Sequence, residues 1–157
     1  MKIYFFLLLA LLTLTYSCDR GSCGSVQCPQ NMACYNGQCS CVPGFEGGNC
    51  DIVTAKKYTG IYKVFGNCIA FDYISQINYI EQGPNAANEI TITNFLNLGI
   101  DIKGFIDGTS ISIPSQFTTS YDISGSGFYN PNNTQIDFKI TYYDFTTVKT
   151  CDLKYVK

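Results

Sequence analysis

Nine cysteines carry most of the chemistry open to this 157-residue chain, and no histidine accompanies them. That absence removes the commonest general base and the commonest metal ligand. A Ser-His-Asp triad, a Cys-His pair or a histidine-based zinc site therefore cannot be built. The carboxylates Asp101, Asp107, Asp122, Asp137, Asp144 and Asp152 are scattered, and no two stand at a spacing that suggests acid–base work. Solvated strand faces and turns are the expected place for them. No catalytic residue is nominated, no cofactor or metal is implied, and an enzyme is not expected.

Six of the cysteines, Cys23, Cys28, Cys34, Cys39, Cys41 and Cys50, crowd into one short stretch. So short a segment cannot bury enough surface to fold alone. Its large apolar residues are few: Val26, Met32, Tyr35, Val42 and Phe45. Cross-links must do the stabilising, each small loop contributing roughly 3 kcal/mol by restricting the unfolded chain. Fifteen pairings are open to six cysteines, and spacing alone does not choose among them. Asn36-Gly37 is a two-residue hairpin signal and predicts paired strands at 33–35 and 38–40. Gly44 and Gly47 permit the positive φ angles of tight turns. Phe45 lies between them, able to pack over a disulfide.

Disulfides persist outside a reducing cytosol, and the N-terminus supplies the route. Lys2 precedes an apolar run over 3–14, and the small residues Thr15 and Ser17 follow. This is the pattern of an export signal over 1–17, cleaved before Cys18. A spanning helix needs roughly 20 apolar residues, so the run is too short to cross a membrane. Cysteine parity then matters. With six in the cluster and with Cys68 and Cys151 available to each other, Cys18 is left over. An unpaired cysteine in an exported chain asks for an explanation.

The elements beyond the cluster are strands. After Asp51, a short connector at 52–57 leads into a region, 58–157, dominated by β-branched and aromatic residues. Alternation is clearest in Ile90/Ile92, Ile111/Ile113 and Ile136/Phe138/Ile140/Tyr142. Predicted strands lie at 58–66, 69–81, 89–95, 99–106, 110–113, 121–129, 135–144 and 147–155. Turn clusters at 82–85, 107–108 and 130–133 separate them. The expected fold class is all-β: a small disulfide-rich module followed by an antiparallel barrel or sandwich of about eight strands. In a closed barrel the first and last strands are neighbours. A Cys68–Cys151 bridge would then staple the seam, with roughly 4–5 kcal/mol as an upper estimate from loop closure. Tyr142-Tyr143 and other aromatics could line a ligand cavity, since eight-stranded barrels hold small ligands. Ordinary sheet packing is the expected role for them.

Three resemblances extend these readings. Residues 14–18, Leu-Thr-Tyr-Ser-Cys, resemble a relaxed bacterial lipobox, which implies a lipid on Cys18; a free thiol, an intermolecular disulfide or an extra pair within the small module are the alternatives. Each buried methylene is worth about 0.8 kcal/mol, so two or more acyl chains anchor stably. The cysteine cluster, with Cys39-x-Cys41 and the tail Cys41-x2-Gly44-Phe45-x-Gly47-x2-Cys50, resembles a short, tenascin-type EGF-like domain (residues 18–51 with its stalk). That resemblance implies the pairs Cys23–Cys34, Cys28–Cys39 and Cys41–Cys50. The calcium ligands of the family's metal-binding members are missing, because only Asp19 precedes Cys23. Residues 60–62 with Cys68, 92–95, 111–116 and 124–127 resemble a lipocalin-like β-domain of Bacteroidetes surface lipoproteins.

The combined expectation is an exported cell-surface or outer-membrane lipoprotein with a non-catalytic interaction or adhesion role. Its partners would be the membrane, through the lipid on Cys18, and a protein or glycan of unspecified identity. Alternatives are a carrier of a small apolar ligand, or a secreted eukaryotic EGF-type adhesion or signalling protein glycosylated at the Asn132-Asn133-Thr134 sequon. Nucleic acid is excluded, since the net charge is −2 and no basic stripe exists.

Overall fold

The computed structural model describes residues 23–81 and 87–157. Among these residues it is all-β, apart from one short 3-10 helix. The strands are β1 (Met32–Tyr35), β2 (Gln38–Cys41), β3 (Phe45–Glu46), β4 (Ile52–Val53), β5 (Gly60–Gly66), β6 (Tyr73–Tyr79) and β7 (Glu89–Phe95). There follow β8 (Ile100–Asp107), β9 (Ser110–Phe117), β10 (Asp122–Asn130), β11 (Gln135–Tyr143) and β12 (Val148–Val156). The chain divides into two compact units between Ser40 and Cys41.

In the first unit β1 pairs with β2 across Asn36-Gly37. Both turn residues have positive φ, 49° and 82°. That is the geometry a two-residue hairpin needs to match the strands' right-handed twist. The bridges Cys23–Cys34 and Cys28–Cys39 hold this region.

The second unit is a closed antiparallel barrel in the order β10-β11-β12-β5-β6-β7-β8-β9. Period-two alternation builds it: Tyr62 and Val64, Ile90 and Ile92, Ile111 and Ile113, and Ile136, Phe138 and Ile140 all face inward and are buried. Each such side chain contributes roughly 1.5–3 kcal/mol on leaving water. Where two bulky chains would collide across the inner wall, one partner is glycine. Gly66 lies opposite Leu153, Gly125 opposite Ile140 and Gly127 opposite Phe138. A Cβ on Gly127 would come within 2.5 Å of the Phe138 ring. These positions read poorly in the sequence because the inward residue has no side chain.

The seam between β12 and β5 is short, with four paired residues from Val156↔Lys63 to Leu153↔Gly66. Beyond it Asn67 continues the ladder: its side-chain oxygen accepts from the Asp152 amide at 2.9 Å. Cys68 and Cys151 then bridge it, 83 residues apart in sequence. Because 67–72 is taken up by this staple, the strand expected from residue 69 begins at Tyr73. The strand expected to end at Ile113 instead runs to Phe117. Pro114 lacks an N–H and sits at a register shift opposite β10, where proline is tolerated. The Gln116 side chain repairs the ladder there. It accepts from the Lys103 amide at 2.8 Å and donates to the Lys103 carbonyl at 2.7 Å.

Residues 41–59 belong to the barrel unit. Within it Cys41–Cys50 closes a loop, β3 pairs with β4, and the Thr54 amide donates to the Gly44 carbonyl at 2.8 Å. A Cβ on Gly44 would lie 2.6 Å from Ala87, so this loop is pressed against the barrel chain. The segment 52–57, expected as a connector, is β4 and most of the 3-10 helix Thr54–Tyr58, with Thr54, Ala55 and Tyr58 buried. The Tyr58 ring packs 4.8 Å from Tyr129, and its hydroxyl donates to the Gly108 carbonyl at 2.5 Å. The helix therefore plugs one end of the barrel. The turn expected at 82–85 lies outside the described residues.

Candidate functional site

The structure brings together each of the four cysteine pairs named from the sequence. Cys18 and the signal 1–17 lie outside the described residues. Asn132, in the sequon, is exposed on the β10–β11 turn. Among the described residues no three His, Cys, Asp or Glu side chains group as a metal site, and no helix is long and apolar enough to cross a membrane.

Tyr142 and Tyr143 do not line one cavity, because consecutive strand residues face opposite sides of the wall. Tyr142 packs edge-on to Tyr121 at 6.0 Å, and Tyr143 packs on Phe145 at 5.7 Å. The interior holds other tyrosines among a majority of aliphatic side chains. The Tyr62 hydroxyl donates to the Tyr58 carbonyl at 2.6 Å, and the Tyr73 and Tyr155 hydroxyls meet at 3.3 Å. Burial pushes the phenols of Tyr58, Tyr62, Tyr73 and Tyr155 up from their ordinary range. All four are held neutral and act as core residues.

The feature that stands out follows from strand direction. Every neighbouring pair in the barrel is antiparallel, so the connections 67–72, 96–99, 118–121 and 144–147 all fall at one end. Each carries or adjoins an exposed apolar side chain: Phe71 at 83% exposure, Leu98, Phe117 at 77% and Phe145 at 54%. Val148 and Tyr143 add to the last. At the opposite end the described connections are polar, with Gly108-Thr109 and 131–134, and the 3-10 helix closes the barrel.

These loops are held by local hydrogen bonds. Asp144 accepts the Thr146 and Thr147 amides at 3.1 and 2.8 Å and Lys149 Nζ at 3.3 Å. Bonding from Thr146, Thr147 and Lys149 holds its carboxyl below the usual carboxylate range. Phe145 sits inside this turn at φ 63°, a left-handed backbone that a bulky residue adopts at a cost of roughly 1–2 kcal/mol. The Asn94 side chain ties 96–99 by accepting the Gly99 amide at 3.1 Å and donating to the Ile74 carbonyl at 3.1 Å. Thr118 closes 118–121 through bonds to both the amide and the carbonyl of Tyr121.

Charge at this end is lopsided. Asp72 pairs with Lys63 and Asp144 with Lys149, each at 3.3 Å. Asp101 accepts only the Asn94 amide and Asp122 only the Ser115 hydroxyl, so two carboxylates have no cation partner among the described residues. The site is thus a set of exposed apolar loop tips on hydrogen-bonded turns, with Asp101 and Asp122 at the strand starts beside them. Sequence reading missed it because apolar residues beside Asp, Asn and Gly read as strand ends. Only the count of strand directions gathers them. Compared with known proteins, the chain matches no family model and no curated protein.

Proposed function

We propose that this chain is an exported surface lipoprotein whose role is non-catalytic, and that it docks a protein partner through the apolar loop end of its barrel. The carrying observation is that all four connections at that end carry or adjoin exposed apolar side chains, while the other end is closed by the 3-10 helix and its turns 108–109 and 131–134 are polar. Exposed apolar groups gathered at one end on hydrogen-bonded loops suit a docking site, since such loops leave less ordering to be done on binding. The uncompensated Asp101 and Asp122 select the partner's chemistry: an apolar centre ringed by basic residues, and not an anionic membrane.

The N-terminal region is read as an EGF-like module and the barrel as lipocalin-like. Anchoring through a lipid on Cys18 is supported by parity, since the other eight cysteines are paired. A small apolar ligand inside the barrel has less support, because Tyr58, Tyr62, Tyr155 and Phe138 occupy the interior.

Two measurements test this. Mass spectrometry of the mature N-terminus is expected to find acylated Cys18, and an unmodified Cys18 would sink the anchor. For docking, the full chain is titrated with a synthetic peptide alternating leucine and lysine, with its leucine–glutamate counterpart, and with anionic phospholipid vesicles. The basic peptide is expected to bind at least tenfold tighter than the acidic one, more weakly as salt rises. Equal binding of both peptides, or preferential binding to vesicles, would overturn the docking assignment.

A further inference from the structure

A second surface lies on the outer wall, near the plugged end, and is built by strand register. Pairing among β8, β9 and β10 aligns their outward residues in two rows, Phe105–Ser112–Ser126 and Asp107–Ser110–Phe128. Each row has a phenyl at one end only, and at opposite ends. The rings therefore rise from strands two places apart, about 10 Å at ordinary strand spacing. Between them the small serines leave a groove of about 420 Å3. That volume falls within the usual range of small-ligand sites, roughly 300–1,000 Å3.

From these residues we infer that the groove binds a neutral glycan built of hexose units. Phe128 is half-exposed on one wall, and a phenyl face matches the C–H-rich face of a pyranose ring. Among the described residues the Ser110 and Ser126 hydroxyls and the Asp107 carboxylate make no side-chain bond, while Ser112 donates to the Phe105 carbonyl at 3.4 Å. Two hydroxyls and one carboxylate thus stay open to sugar hydroxyls, as donors and acceptors both. Asp107 is the only charged side chain lining the groove, which disfavours phosphorylated, sulfated or acidic sugars. Beyond the lining, Lys139 stands next to Ser126, and Asp137 next to Phe128, with Asp137 paired to Lys154 at 3.9 Å. Three serine hydroxyls interrupt the apolar lining between the two rings, so an acyl chain finds no unbroken apolar bed. The barrel is closed at these strands, so an added peptide strand finds no edge to pair with. The inference does not depend on the role of the loop end.

The intact chain, isotopically labelled, is titrated with cellotriose, mannotriose and maltotriose and followed by amide NMR. At least one trisaccharide is expected to give saturable shifts centred on Asp107, Ser110, Ser112, Ser126 and Phe128. Phe128→Ala should weaken that binding at least tenfold, and Ser126→Gln, which fills the groove without touching the core, should abolish it. Unchanged spectra elsewhere establish that both variants fold. No shift at these residues with any of the three sugars overturns the assignment. So does equal binding by Phe128→Ala, or tighter binding of glucose 6-phosphate than of the neutral sugars.

Discussion

The two ends of the barrel use aromatic residues in opposite ways. At the plugged end Tyr58 and Tyr129 are buried against each other, and the turns 108–109 and 131–134 beyond them are polar. At the loop end Phe71, Phe117 and Phe145 point into water. Burial of an aromatic side chain normally contributes several kcal/mol, so leaving three exposed at one end forgoes stability. The loops there are also more elaborately tied, through Asp144, Asn94 and Thr118. On the proposed reading, one end of the barrel serves folding and the other serves contact.

The largest way to break this contrast is to open the seam near the loop end. Replacing Cys68 and Cys151 together by serine is expected to cost up to roughly 4–5 kcal/mol, read from the urea midpoint. Hydrogen exchange should rise first in β5 and β12, with the Tyr58 plug protected longest. Equal loss of protection at both ends would show that the barrel has no such division. Next, Tyr58→Phe removes the hydroxyl from the Gly108 carbonyl and should cost about 1–2 kcal/mol while leaving peptide binding unchanged. Gln116→Ala, which strips both bonds from Lys103, should cost about 1 kcal/mol.

Substitution at the loop tips should behave in the reverse way. Changing Phe71, Phe117 and Phe145 together to serine is expected to shift stability by little, within about 0.5 kcal/mol per site. Binding of the leucine–lysine peptide should fall at least a hundredfold, since clustered aromatic anchors dominate such contacts. A large drop in melting temperature without loss of binding would mean the tips are structural.

How far the sequence foretold each region follows from the same division. The barrel strands were legible because their inner residues alternate with polar ones, as in Ile136, Phe138 and Ile140. The β10 inner face was harder, since Gly125 and Gly127 give way to Ile140 and Phe138, a fact of tertiary packing. The unit boundary at Cys41 was illegible for a related reason. The cysteine pattern runs on to Cys50, but the close approach of Gly44 to Ala87 joins residues far apart in the chain. The loop-end rim leaves no local signal at all, because it exists only when four turns are brought to one end. The outer groove depends on register between three strands, which alternation alone does not set.

The smallest expected effect concerns acid and the turn that presents Phe145. Asp144 is partly exposed, and its carboxyl is held low by the Thr146 and Thr147 bonds and by Lys149. A carboxylate depressed in the folded state stabilises above its unfolded value, about 3.9, and that contribution fades as pH falls below it. The global fold should therefore hold between pH 7 and about 4 with no change from this group. Below that range the Thr146 and Thr147 amide resonances should shift together as their acceptor is neutralised, before any resonance of the Tyr58 plug moves. Phe145, freed from its left-handed backbone, should then lose its packing on Tyr143. Asp144→Asn retains an amide oxygen as acceptor but loses the charge, so it should abolish the titration while keeping most of the turn. Should the two amides titrate unchanged in Asp144→Asn, another group holds the loop, and the rigid presentation of Phe145 would need a different cause.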